Sequence, residues 1–250
     1  MKFVPAFLAL LASLCLPAAA DTPLSVSAAT SLRDVLTEIK ALYVRDHPDV
    51  SPTIEFTGSG TIQRQIETGA RIDVFISASP KEILALERKN LLVRGSTRNV
   101  VKNTLVLIVP KESTTVTSFA DLAKPEVRHI AIGAPRTVAV GTYTVSVFAM
   151  LKLTDAVRPK LVELLDVRQV LAQVAAGEAD AGVLYETDAR KSAEVRIAAT
   201  ADPKTHQMIV YPCAIPKASR QKAAAEAFAA FLLSPAAQEI FAKHGFLPAS

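Results

Sequence analysis

Four short segments of the chain place small, hydroxyl-bearing or glycine residues where an apolar strand gives way to a helix: Thr30-Ser31, Gly58-Ser59-Gly60, Val140-Gly141 and Asp166-Val167. A helix start leaves main-chain N–H groups without intrahelical acceptors, and the positive end of the helix dipole reinforces them. Several such starts at one sheet edge could bind an anion with neutral donors alone. Each segment also has a plainer reading. Ser31, three residues before Asp34, fits an N-capping box. Gly58-Ser59-Gly60 fits a tight turn that needs positive φ. Tyr185, at the end of an apolar run, fits a core aromatic with a wet hydroxyl. Val140 and Val167 could contribute only through main-chain N–H.

The elements that would position these residues alternate. Leu24–Ala28 reads as a strand, followed by a helix whose apolar positions Leu32, Val35, Leu36, Ile39, Leu42 and Tyr43 recur at helical spacing. A strand at Thr53–Phe56 leads to a short helix carrying Ile62 and Ile66 that stops at Gly69, then to a strand at Ile72–Ser77. Ser79-Pro80 supplies a capping residue and an N1 proline for the next helix. Two strongly apolar runs, Leu105–Val109 and Met208–Ile215, are expected to be the crossings between two lobes. Between them lie strands near Ile130–Ile132 and Gly182–Tyr185, with helices from about Gly141 and Val167. Two Ala-rich helices, Arg220–Leu233 and Pro235–His244, return to the first lobe. The alternation predicts an α/β chain of two lobes, each a mostly parallel sheet flanked by helices, with a ligand in the cleft between them. Residues 21–104 with 207–250 would form lobe I, and 105–206 lobe II.

Residues 1–20, with Lys2, an apolar run from Phe3 to Leu16 and Ala18-Ala19-Ala20 before Asp21, have the layout of a cleavable secretory signal. The run is shorter than the roughly 20 residues a membrane-spanning helix needs. Leu14 stands before Cys15 where a lipoprotein anchor would need a small residue, so ordinary cleavage and export to the periplasm are expected. Loss of Lys2 leaves 27 basic against 24 acidic side chains, scattered along the chain, and aromatic residues make up only 6%. That pattern argues against nucleic acid as a partner. Cys213 would be the single cysteine of the mature chain, a small apolar strand residue. Nothing in the sequence signals an oligomer, so a monomer is expected.

The segments 28–32 (Ala-Ala-Thr-Ser-Leu), 57–66 (Thr-Gly-Ser-Gly-Thr-Ile-Gln-Arg-Gln-Ile), 73–78 (Asp-Val-Phe-Ile-Ser-Ala), 138–143, 166–168, 182–189 and 241–246 resemble, in order, segments of the periplasmic molybdate-binding proteins of ABC transporters. The resemblance covers essentially the whole mature chain. It implies the two-lobed periplasmic binding protein fold and a molybdate or tungstate ligand with no cofactor. The partners it implies are a membrane permease and its ATPase subunits. Carried over position by position, Ser31 and Ser59 would donate their hydroxyls to the oxyanion, Val140 and Val167 their main-chain N–H groups, and Tyr185 its hydroxyl, the molybdenum being held only through its oxygens. This chain departs from the family at Ala139-Val140-Gly141, where Pro-Ala-Gly is frequent, and at Ala29-Thr30-Ser31, where Ala-Ala-Ser is frequent.

Two rival readings stand beside this one. Sulfate or phosphate could occupy the same fold, with Arg33, Arg64, Arg136 or Arg168 supplying charge. A periplasmic hydrolase would need a serine nucleophile and a base, yet Thr57 stands where a nucleophile elbow needs glycine, and His47, His129, His206 and His244 are dispersed. Asp73 and Asp188 read as structural anchors rather than bases.

Overall fold

The computed structural model describes residues 22–249. The expected signal segment, residues 1–20, lies outside the described residues. The chain opens with β1 (Thr22–Ala29), α1 (Arg33–Asp46), β2 (Val50–Thr57), α2 (Ser59–Glu67), β3 (Val74–Ile76), α3 (Pro80–Arg88) and β4 (Arg98–Lys102). It continues through β5 (Leu105–Pro110), β6 (Ile130–Gly133), α4 (Ala139–Met150), α5 (Thr154–Val157), β7 (Leu161–Leu164), α6 (Val167–Ala175), β8 (Ala181–Tyr185), α7 (Glu186–Ala189) and β9 (Val195–Thr200). It closes with β10 (Val210–Ala214), α8 (Lys222–Phe231), α9 (Pro235–Lys243) and β11 (Leu247–Pro248).

These strands form two sheets, one in the order β11-β4-β10-β3-β1-β2 and one in the order β7-β6-β8-β5-β9. The expected two-lobed α/β architecture is therefore present, each sheet mostly parallel in strand direction, with β10 and β11 reversed in the first and β5 in the second. β1, β2 and β3 run parallel, as do β6, β7 and β8. β10 is antiparallel to β3 and β4, and β5 is antiparallel to β8 and β9. β5 and β10, the strands the chain enters after each crossing between lobes, run against the strands joined by helical crossovers. The two apolar runs are consequently strands inside the sheets. The crossing itself is the short link Asn103-Thr104 between β4 and β5, and the chain returns between β9 and β10.

Local chemistry explains the element ends. The Ser79 hydroxyl accepts the Lys81 N–H at 3.1 Å and opens α3, with Pro80 at its first position. α2 stops where Gly69 takes φ +88°, a conformation open to glycine at little cost. Asp73 anchors β1 to a distant loop by accepting from the Ser25 N–H at 2.9 Å and the Ser219 hydroxyl at 2.7 Å. The capping box expected at Ser31 and Asp34 does not form. A single 3-10 turn, Thr30–Leu32, precedes α1 without a side-chain cap, and both side chains are used elsewhere. Val26 and Ala28 of β1 and Leu36 and Ile39 of α1 are fully buried in one apolar cluster. That packing holds the β1–α1 turn in place.

Candidate functional site

One pocket lies between the two sheets, lined by Ala29, Thr30, Ser31, Gly58, Ser59 and Ala78 from the first and by Val138, Ala139, Val140, Asp166, Val167 and Tyr185 from the second. All five residues expected to hold a ligand, Ser31, Ser59, Val140, Val167 and Tyr185, border it. Four helix starts converge here, those of the 3-10 turn before α1, of α2, of α4 and of α6. The start of α4 is two residues earlier than the apolar pattern indicates, which puts Val140 in its first turn, where main-chain N–H groups have no intrahelical acceptor. Replacement of the family's proline by Ala139 leaves this turn intact, because Val138 takes an extended conformation (φ −118°, ψ 120°) and the helix follows directly. At α6 the Asp166 carboxylate caps the N–H groups of Arg168 and Gln169, at 2.8 and 3.1 Å. Val167, at the first helical position, is outside that cap.

The hydroxyls are oriented by what they accept. Ser59 Oγ accepts the Ala78 N–H at 3.0 Å, so its own proton is free to donate to a ligand. Ser31 Oγ lies 3.2 Å from the Tyr211 hydroxyl, and Asn103 Nδ2 lies 3.2 Å from that same hydroxyl. The Thr104 N–H, 2.8 Å from Asn103 Oδ1, fixes the orientation of the amide. Its Nδ2 can only donate, so the Tyr211 oxygen accepts, the Tyr211 proton turns to Ser31, and the Ser31 proton is left for the pocket. Asn103 Nδ2 also donates to Thr187 Oγ1 of α7 at 2.9 Å. Tyr185 is fully buried, and its hydroxyl reaches the Ala78 carbonyl at 3.4 Å across the cleft. Burial, with the neighbouring Tyr211, Tyr143 and acidic groups, raises its pKa well above the ordinary value. It stays a neutral donor.

No lysine or arginine lines the pocket, and Asp166 is the only charged lining residue. Three of the four arginines considered as charge donors have other partners, and Arg136 is exposed outside the pocket lining. Arg33 stacks over Phe56 at 4.7 Å, Arg64 reaches the Arg136 carbonyl at 3.4 Å, and Arg168 pairs with Asp34. The last pair joins α1 to α6 across the cleft. Lys191 extends it, at 2.9 Å from Asp34 and 2.7 Å from the buried Asp188. Partial burial works against ionisation of Asp34, but the hydrogen bonds and charges of Lys191 and Arg168 hold its carboxyl below the usual range.

Gly58 and Gly60 have a role that the sequence reading missed. Neither takes positive φ, Gly58 having φ −66°. A Cβ on Gly58 would lie 2.3 Å from the Thr137 carbonyl oxygen, and one on Gly60 2.9 Å from the Arg136 carbonyl oxygen. Both opposing groups belong to the turn before α4. The glycines are there so that the two main chains can meet.

A hydrolytic arrangement is not assembled. Neither Ser31 nor Ser59 has a histidine partner, and no histidine lines the pocket. Among the described residues no three His, Cys, Asp or Glu side chains are grouped as a metal site requires. Cys213 is buried in β10 and unpaired, and burial pushes its thiol up to about 12.

The description of the bacterial extracellular solute-binding proteins matches residues 24–247, nearly the full chain. The chain belongs to that family. A solute-binding protein accounts for the cleft geometry, since donors come from both lobes and meet in the pocket between them. Among relatives, a putative ABC transporter substrate-binding lipoprotein of Bacillus subtilis is 39% identical over 89% of this chain and 85% of its own. The molybdate-binding protein ModA of Haemophilus influenzae is 34% identical over 95% of this chain and 94% of its own. The solved periplasmic molybdate-binding protein of Azotobacter vinelandii superposes with a TM-score of 0.80 at 26% identity, over 91% of this chain and all of that one.

Proposed function

We propose that this solute-binding protein captures molybdate, and tungstate with it, in the pocket between its lobes and delivers it to an ABC importer. The observation that carries this reading is the donor set. Two serine hydroxyls, a buried neutral tyrosine and three uncapped helix starts converge from both lobes, with no cation among them. Such donors stabilise a dianion without proton transfer, and their strength grows as closure excludes water. The names of the two molybdate-binding relatives point to the same oxyanion. Selection against sulfate follows from size, because a smaller tetrahedron cannot reach donors on both walls at once and leaves some unsatisfied.

In this reading residues 1–20 direct export to the periplasm, and the lobes are 21–104 with 207–250 and 105–206. The loaded, closed form is what the permease and its ATPase subunits receive. Binding in the cleft draws the lobes together about Asn103-Thr104 and the return link. The chain binds as a monomer and transforms nothing.

Thermal unfolding of oxyanion-free protein tests the specificity. Molybdate and tungstate at a hundredfold excess over the dissociation constant stabilise by about 2.7 kcal/mol, whereas sulfate at the same concentration leaves the melting temperature nearly unchanged. Equal stabilisation by sulfate overturns the assignment of molybdate.

A further inference from the structure

Five side chains have a buried polar atom without a hydrogen-bond partner among the described residues: Thr30, Tyr43, Thr137, Tyr143 and Asp188. Of these only Thr30 lines the pocket. It is 5% exposed, and its hydroxyl oxygen is shut off from solvent. Threonines near a helix start usually turn the hydroxyl to a nearby main-chain carbonyl. Thr37 does so to Arg33 at 2.7 Å and Thr144 to Val140 at 2.8 Å. Thr30 does not, although it begins the turn that carries Ser31. A buried hydroxyl with no partner costs stability, and one retained beside a ligand pocket is explained if the ligand supplies the partner.

We infer that Thr30 is a further oxyanion donor, its hydroxyl bonding a ligand oxygen beside Ser31. This rests on the reading of the pocket as an oxyanion site and adds one donor to the wall formed by the first sheet. It also makes the site more selective, since an additional neutral donor on one wall favours an anion large enough to touch both walls.

The test is calorimetric titration of the oxyanion-free protein with sodium molybdate, with the melting temperature of the unliganded protein as a second readout. Thr30→Val keeps the shape and removes the hydroxyl. Molybdate affinity is expected to fall about tenfold, while the unliganded protein melts at the same temperature or higher, because the unpartnered group is gone. Thr30→Ser, which keeps the hydroxyl and deletes the methyl, retains near wild-type affinity. A purely structural threonine cannot produce opposite signs in the two readouts. Unchanged affinity in Thr30→Val overturns the inference, and so does equal weakening in Thr30→Val and Thr30→Ser, which would assign the effect to packing. Ser31→Ala separates this from the parent reading. If Ser31→Ala also leaves affinity unchanged, the pocket itself is wrong, whereas weakening in Ser31→Ala alone removes only Thr30.

Discussion

The Gly60 N–H donates to the Thr137 carbonyl at 3.1 Å, joining the main chain of one lobe to that of the other beside the pocket. This contact exists only because residues 58 and 60 lack side chains. Alanine at position 58 suits the local backbone, which is extended (φ −66°, ψ 138°). Its methyl group collides only when the lobes meet. Gly58→Ala is therefore expected to weaken molybdate binding tenfold or more while leaving the melting temperature of the unliganded protein within about 2 °C, a shift worth under about 1 kcal/mol. Calorimetry beside a thermal scan checks this. Wild-type affinity in the variant would show that closure does not need this approach.

The hydrogen-bond series from Asn103 through Tyr211 to Ser31 predicts coupling. Removing the Tyr211 hydroxyl by Tyr211→Phe frees Ser31 to point its proton away from the pocket, so affinity falls by about 0.5–1.5 kcal/mol, the worth of a typical hydrogen bond. In a Ser31→Ala background the same change adds little, because the group that it orients is gone. A double-mutant cycle reads the difference. Fully additive losses would mean that Tyr211 acts on binding by some other route.

All four tyrosines, Tyr43, Tyr143, Tyr185 and Tyr211, are buried and have raised pKa values, burial being the largest cause at each. In the unfolded chain they ionise near about 10. Raised folded values mean that the folded protein keeps protons the unfolded chain gives up. This contribution is complete below about pH 10 and is lost as pH rises, through a window reaching about 12 for Tyr143. The melting temperature should fall between pH 10 and 12, less steeply in Tyr143→Phe, and phenolate absorbance should appear only with unfolding. Ionisation of all four near pH 10 in the folded protein would contradict their burial.

Much of the first lobe was legible because its signals are local. Apolar periodicity marked β1, α1, β2 and α2, and Ser79-Pro80 marked the start of α3. β4, with the sequence Arg-Asn-Val-Val-Lys, and the partly exposed β7 and β9 went unread, since their pairing rests on neighbours remote in sequence rather than on their own pattern. The same divide runs through the pocket. Ser31 and Ser59 stand in turns whose residue types carry a local signal, whereas Val140, Val167 and Tyr185 are assigned through the resemblance to the molybdate-binding proteins. Tyr211 and Asn103 show no such signal, because they meet Ser31 and Thr187 across 180 and 84 residues of chain. Gly58 and Gly60 looked like turn residues because the facing main chain of Arg136 and Thr137 has no trace in their own segment. Asp34 looked like part of a capping box for the same reason, its partners Arg168 and Lys191 lying in the other lobe.

The most direct measurement is anomalous diffraction from crystals grown with sodium molybdate. A single molybdenum peak is expected in the pocket between the sheets, with its oxygens in hydrogen-bond reach of the Ser31, Ser59 and Tyr185 hydroxyls and the Val140 and Val167 N–H groups. A peak elsewhere on the chain, or one in the pocket with these groups turned away from it, would contradict the account.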